Sequence, residues 1–494
     1  MSPQIPLLLT QSQLEQDDDC ACPDKAFVLA FDYAAAEVDT DCACPDKGWG
    51  LTAVSPHTAV PPLFTTASHT HSQDLTPEHT LVYSPHAPGG PSALNQAAHE
   101  RWQAFRQPRP LQQEIDYQLA AQALLQPANA GFRAQYQTPE TLTAWLHITN
   151  ACNLDCPYCY VRKSSARMDE ATGLKALAHI FDTAQRHGFR RVKLKYAGGE
   201  ATLHFKLVRR LHEEAVQLAA SHSLALREVV LSNGVHLRPD DADWLAVSGI
   251  KLMVSLDGVG EVHDRQRPYR NGAPSFHHLE HTVDHILLPR SIKPDVTITI
   301  TRLNADGAAD AVGWALARDL PVSLNFYRQS ILSASRQELE LEEQAIIDGM
   351  LAAYAEFEAN LPARPFLNGL LDRVQAEAHA HTCGVQHSYL VITHEGRIAQ
   401  CQMHLEQPSP AALTGDLLPL VVAGPIQNLS VDEKEGCRNC EFRYRCTGGC
   451  PLETFRATGR WDVQSPHCHI YKTLFPHALR LEGLRLLKVN GQLN

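Results

Sequence analysis

The chain has 494 residues, of which 44% are hydrophobic and 20% charged, and a formal net charge of −12. It is too long for one average domain, has the composition of an ordinary soluble globular protein, and contains no run near the roughly 20 apolar residues that a spanning helix needs. The acidic balance argues against general affinity for nucleic acid, whose phosphates are held mainly by Lys and Arg, so neither nucleic acid nor a membrane is an expected partner.

The opening stretch, MSPQIPLLLTQSQLEQDDD, has no basic residue before its apolar run and turns acidic at once. That is not a secretory signal, and a cytoplasmic location is expected. In a reducing compartment the 14 cysteines are expected to serve metal binding or catalysis rather than disulfides. Four of them, Cys20, Cys22, Cys42 and Cys44, lie in a duplicated DCACPDK at 19–25 and 41–47. A Ser-, Thr-, His- and Pro-rich stretch follows and reads as linker, so residues 1–77 are expected to be a flexible Cys-repeat segment.

From Glu78 the text changes. HTLVYSPH predicts a strand, and SALNQAAHERWQAF and EIDYQLAAQALLQ predict two helices, together a small α/β module over 78–135. A strand–helix alternation then occupies 140–330. The predicted strands are TAWLHIT, RVKLKYA, EVVLSN, KLMVSLD, DVTITIT and PVSLNFY, separated by amphipathic segments such as EATGLKALAHIFDTAQRHG. Six β/α units imply a parallel sheet, curled into a partial (β/α)6 barrel or left open. HHLEHTVDH, with His277, His281 and His285 on one face, could bind metal but reads as an exposed outer helix. Ser335 and Glu338 have the spacing of a capping box and announce a helical bridge over 331–380, with ELELEEQ as a solvated face. The remainder, 381–494, is loop-rich and cysteine-rich.

CNLDCPYCY places Cys152, Cys156 and Cys159 just after the first barrel strand, at the end where α/β barrels carry their active-site loops. A structural zinc site wants four ligands, and no fourth Cys or His is close in sequence. Three thiolates on a [4Fe–4S] cluster would leave one iron open. The C-x-x-x-C-x-x-C spacing, with the aromatic Tyr158 before the last cysteine, resembles the radical S-adenosylmethionine (SAM) superfamily. Further segments agree in order: AGGE at 197–200, LSNG at 231–234 and SLDG at 255–258, each at a predicted strand end. The resemblance covers roughly 142–330. It implies that the open iron binds the amino and carboxylate groups of SAM, with Tyr158, Gly198, Gly199, Glu200, Ser232, Asn233 and Asp257 around the cofactor. Glu200 would meet the methionine amino group, and Ser232 and Asn233 the ribose.

In the tail, Cys383, Gly396 and Cys401 are followed by Cys437, Cys440, Cys446, Cys450 and Cys468. Spacing alone also suits zinc ribbons. The pattern resembles the SPASM auxiliary-cluster domain of peptide maturases, which implies one cluster on Cys383, Cys401 and Cys450 and another on Cys437, Cys440, Cys446 and Cys468. Three [4Fe–4S] clusters and SAM are then the expected cofactors. By the same resemblance a reduced cluster cleaves SAM to a 5′-deoxyadenosyl radical that takes a hydrogen atom from an unactivated carbon.

The 78–135 module resembles the winged-helix peptide-recognition elements found ahead of many such enzymes, so a ribosomally made precursor peptide is the expected partner, with a reductant such as flavodoxin or ferredoxin. The related anaerobic sulfatase-maturing enzymes oxidise Cys or Ser and carry an aspartate where this chain has Gln402, which counts against that reaction. The N-terminal repeats stay open: a four-cysteine metal site, a tail with reactive thiols, or a tethered substrate-like segment, since each spells C-x-x-x-D (Cys20 to Asp24, Cys42 to Asp46), a spacing similar to that of thioether-forming precursors. A non-catalytic zinc protein that binds peptides is the alternative of another class.

Overall fold

The computed structural model describes residues 6–10, 29–33 and 62–493. Its centre is a sheet whose first six strands are Thr141–Thr149, Arg191–Gly198, Ala225–Ser232, Lys251–Ser255, Asp295–Ile300 and Val322–Phe326, each parallel to its neighbour and in chain order. A strand of this kind is covered on both faces, and Thr141–Thr149 is buried along nearly its whole length. Helices between the strands supply the outer cover. Glu170–Arg186 begins on Asp169, whose side chain accepts from the Thr172 amide, and turns Ala176, Leu177, Ile180, Phe181 and Ala184 inward. The α/β partial barrel is as the strand pattern implies.

The sheet does not stop at its first strand. Tyr389–Ile392 pairs in parallel with Thr143–Leu146, and Ile398–Ala399 follows antiparallel, so the cysteine-rich C-terminal region is stitched into the barrel by main-chain hydrogen bonds. The chain then ends in a helix, Cys468–Val489, packed on the bridge helix Glu343–Ala359.

Three expectations need correction. Leu8–Leu9, Leu29–Tyr33, Leu63–Thr66 and His71–Thr76 are strands, so the N-terminal 77 residues are not simply a flexible linker, and the module begins near residue 62. SALN is a strand, Ser92–Asn95, and the helix that follows is Gln96–Ala104, because the Asn95 side chain caps it by accepting from the Ala98 amide. The bridge helix is not opened by Ser335 and Glu338. Ser330 and Ser333 close a turn there, and Glu342 caps Glu343–Ala359 through the Ala345 amide. The four cysteines of the N-terminal repeats lie outside the described residues.

The module has two small sheets. One runs Leu8–Leu9, Ser92–Asn95, His79–Tyr83, His71–Thr76, all antiparallel. The other joins Arg109–Pro110, Leu63–Thr66 and Leu125–Pro127. Between them Phe64, Val82, Leu94, Trp102, Phe105 and Leu119 form a separate core. The module sits against the C-terminal region through Arg445, which is fully buried and donates to the carbonyls of Ala87 (2.6 Å) and Gly89 (2.8 Å). Leu29–Tyr33 pairs antiparallel with Phe132–Tyr136, and the Leu29 amide donates to Ala378.

Candidate active site

The C-terminal ends of the barrel strands open onto a cavity of about 210 Å³. Its lining gathers Cys152, Cys156, Tyr158, Cys159, Gly198, Gly199, Glu200, Ser232 and Asn233, residues spread over 82 sequence positions but all at the ends of the first three strands. Gln402, Met403 and Arg373, from beyond the barrel, line it too.

Backbone contact brings the cysteine loop to the second strand. The Gly199 amide donates to Thr149 at 2.6 Å and the Glu200 amide to Ala151 at 2.8 Å. A Cβ at Gly198 would lie 2.3 Å from the Thr149 oxygen, and one at Gly199 2.3 Å from the Ala151 oxygen, so only glycine fits this approach. Glu200 is buried and its carboxylate is an acceptor hub. Oε1 receives the Thr202 hydroxyl (2.6 Å) and Ser232 hydroxyl (3.0 Å), and Oε2 receives the Asn233 amide (2.7 Å). The Asn233 side chain donates in turn to Asn153 Oδ1 at 2.7 Å, beside Cys152. Residues expected to face a cofactor thus also brace one another.

A second buried group closes the floor. The Tyr158 hydroxyl bonds to Asp257 and is approached by Arg267, whose Nη1 is also 3.2 Å from Asp257 Oδ2. Asp257 itself does not line the cavity; its other oxygen accepts from the Thr299 amide at 2.8 Å. Burial, with Asp257 beside it, holds the Tyr158 phenol well above its ordinary pKa.

Burial also pushes up the pKa values of the free thiols of Cys152 and Cys156, the latter to about 12. Such cysteines become thiolates when a cation joins them. Lys163 lies alongside: its Nζ donates to Cys159 Sγ at 3.1 Å. Burial works against that ammonium, but the thiols of Cys159, Cys152 and Cys156 prevail and raise its pKa.

The tail cysteines fall into two places. Cys383, Cys401 and Cys450 share an apolar cluster with Trp145 and Ala197, which line the large cavity. Cys437, Cys440, Cys446 and Cys468 surround a separate, small space of about 20 Å³. Burial raises Cys383 and Cys437 to about 11 and Cys401 and Cys446 to about 12. Between the two groups stands Lys434, buried, with Nζ donating to the Thr447 carbonyl at 2.8 Å and approaching Thr382 Oγ1 at 3.4 Å, next to Cys446 and Cys383. These thiols ring volumes: among the described residues no three His, Cys, Asp or Glu side chains converge as closely as a single ion requires. A [4Fe–4S] cluster takes each thiolate on a different iron, so a ring of separated donors fits it.

Lys163, Arg267, Arg373 and Lys434 were not singled out from sequence. Lys163 stands four residues after the last loop cysteine, and Arg267 ten residues after Asp257; neither position announces its partner. Gln402 is buried, and its side-chain oxygen accepts from the Tyr389 hydroxyl at 2.8 Å. The outer histidines lie on an exposed helical face, Phe276–His281 and its continuation.

Residues 146–287 match the model of the Radical SAM superfamily. These residues form a radical SAM domain, and the chain is similar to radical SAM enzymes. It is 29% identical over 172 residues to the sporulation killing factor maturation protein SkfB of Bacillus subtilis, covering 35% of this chain and 38% of that one. To the PqqA peptide cyclase of Bradyrhizobium diazoefficiens it is 24% identical over 380 residues, 70% of this chain and 92% of the other. The solved structure of native anSMEcpe with bound AdoMet and Cp18Cys peptide shares the fold, with a TM-score of 0.57 and 17% identity, over 72% of this chain and all (100%) of that one. A radical SAM domain implies a [4Fe–4S] cluster and SAM. No helix among the described residues is long and apolar enough to cross a membrane.

Proposed function

We propose that this protein is a radical SAM peptide maturase that installs a crosslink, a thioether or a carbon–carbon bond, in a ribosomally made precursor. The observation that carries the reading is the shared cavity: barrel-end residues and residues from beyond the barrel, Arg373, Gln402 and Met403, line one space. The naming of the PqqA cyclase for a peptide, and of SkfB for maturation of a sporulation killing factor, supports the substrate class.

In this reading Cys152, Cys156 and Cys159 hold the SAM-binding cluster; Cys383, Cys401 and Cys450 hold one auxiliary cluster, and Cys437, Cys440, Cys446 and Cys468 another. The bound cluster and SAM supply a radical able to take hydrogen from carbon. The protein's part is orientation and exclusion of competing reactions. Gly198 and Gly199 let the end of the second strand close against the backbone of Thr149 and Ala151 and so set the cysteine loop. Glu200, Ser232 and Asn233 lock the strand ends, Tyr158, Asp257 and Arg267 fix the floor beneath the cysteine loop, and Lys163 sets a positive charge against Cys159. Arg373 and Gln402 face the cavity from the auxiliary side, where the substrate would lie. Gln402, an amide tied to Tyr389, cannot serve as a carboxylate base, which weighs against formylglycine formation. A small reductant protein such as flavodoxin or ferredoxin would deliver the electron.

The test is anaerobic purification and reconstitution, iron and sulfide counting, then dithionite with SAM and an assay for 5′-deoxyadenosine. About twelve irons per chain are expected for three clusters, with deoxyadenosine formed; when Cys152, Cys156 and Cys159 become Ala, iron should fall to about eight and deoxyadenosine should be lost. Zinc in place of iron, with no deoxyadenosine, would sink the reading.

A further inference from the structure

We propose that the sheet edge along Ser92–Asn95 is a peptide-docking edge that this chain fills in cis with its own residues 7–9, and that a peptide substrate docks by displacing them. Only the identity of the displacing partner rests on the peptide-maturase reading.

The cis segment behaves as an added strand. Leu8 is opposite Leu94 and Leu9 opposite Ala93, antiparallel. The Asn95 amide donates to the Leu7 carbonyl at 3.1 Å, and the Leu7 amide donates to Asn95 Oδ1 at 3.1 Å. Side chains alternate as a strand requires: Leu7 and Leu9 join the main core, Leu8 the module's own core. Main-chain ladder bonds with apolar sockets at alternate positions are the general mode by which a sheet edge takes an extended peptide, and they read shape rather than a unique sequence.

The attachment is slight. The strand is two residues long, and Pro6 just before it has no amide to offer a ladder. The remaining interior of the module, from Phe64 to Leu125, is assembled without it. Among the described residues the ladder spans two positions, and a longer apolar strand can replace so short a pairing. Asn95 Oδ1 registers the occupant, because the same atom caps helix Gln96–Ala104 through Ala98 at 3.0 Å. The partner that fits is an extended segment with leucine-like residues at successive positions and a polar flank, the chemistry of IPLLLTQ itself.

The experiment uses the full chain and a fluorescein-labelled peptide of its residues 2–12, SPQIPLLLTQS, with a control peptide in which the three leucines are serine. The variants are Leu9→Asp, which sets a carboxylate in an apolar socket, and the milder pair Leu8→Ala with Leu9→Ala. Labelled peptide is expected to bind either variant at least about tenfold more tightly than the unsubstituted chain. The control should bind neither, and amide exchange at Ala93 and Asn95 should rise in the variants and fall again when peptide is added. Equal binding to variant and unsubstituted chains, or no binding to a variant that keeps the parent melting temperature, overturns the proposal. So does loss of cooperative melting in both variants, which would make the strand a fixed part of the fold. Peptide exchange in a chain that makes no deoxyadenosine would leave the docking edge standing and remove the maturase reading; deoxyadenosine without exchange would do the reverse.

Discussion

Arg267 Nη1 lies 3.2 Å from Asp257 Oδ2, both residues buried, and the Tyr158 hydroxyl reaches the same carboxylate oxygen. Removing one partner of a buried pair leaves the other charge without compensation. Asp257→Ala is expected to destabilise the apo chain by about 3–5 kcal/mol, and Tyr158→Phe, which keeps the ion pair, by about 1–2 kcal/mol. Denaturant titration of the three chains checks the order.

Gly199→Ala should disturb the cysteine loop directly, since the new carbon would meet the Ala151 carbonyl at 2.3 Å and backbone cannot swing aside. Gly131→Ala, where nothing lies within 4 Å, should stay within about 0.5 kcal/mol of the parent. Iron bound per chain after reconstitution should fall for the first and hold for the second.

Acid should weaken the fold through histidines kept neutral inside it. Burial pushes His86 and His263 down to about 3 and His147 to about 4, from an ordinary 6.5. Between 6.5 and those values the unfolded chain takes up protons that the folded chain refuses. Their contribution is therefore complete above 6.5 and drains as pH falls, by about 1.4 kcal/mol per pH unit for each histidine. His212 works with the opposite sign. Its pKa is raised, chiefly by the hydrogen bond to Glu228, so its contribution is complete below 6.5 and is lost as pH climbs through the raised value. Melting temperatures from pH 4 to 8 should fall steeply on the acid side, and His86→Phe should make that slope shallower by about one proton.

Arg445→Met should loosen the seat of the N-terminal module. Its buried guanidinium answers the carbonyls of Ala87 and Gly89, and leaving the buried Ala87 carbonyl unsatisfied costs about 1–3 kcal/mol. Hydrogen exchange across residues 84–91 should quicken while the barrel strands stay protected.

The six barrel strands were legible because each is a compact apolar run bounded by turn residues, and their ends carry the glycines and cysteines that meet in the cavity. What escaped notice was short or tertiary. Ser92–Asn95 is four residues and runs straight into a helix, so helical periodicity absorbed it. Leu8–Leu9 and Ile398–Ala399 are too brief to leave a periodic signal. A box of Ser335 and Glu338 was plausible locally, but the turn at Ser330 and Ser333, with the Tyr327 hydroxyl 2.7 Å from Ser333, takes that stretch out of the helix. Lys163, Arg267 and Lys434 owe their placement to partners far away in the chain or to burial, which no local pattern encodes.

The pairing of Tyr389–Ile392 with Thr143–Leu146 bears on how the molecule can be cut. An isolated piece spanning only residues 140–330 would present the full length of Thr141–Thr149 as an open, apolar strand edge, a template for adhesion to other copies. The region that carries the tail cysteines is thus also the barrel's guard against self-association, and the smallest soluble fragment with the barrel intact should have to reach past residue 399.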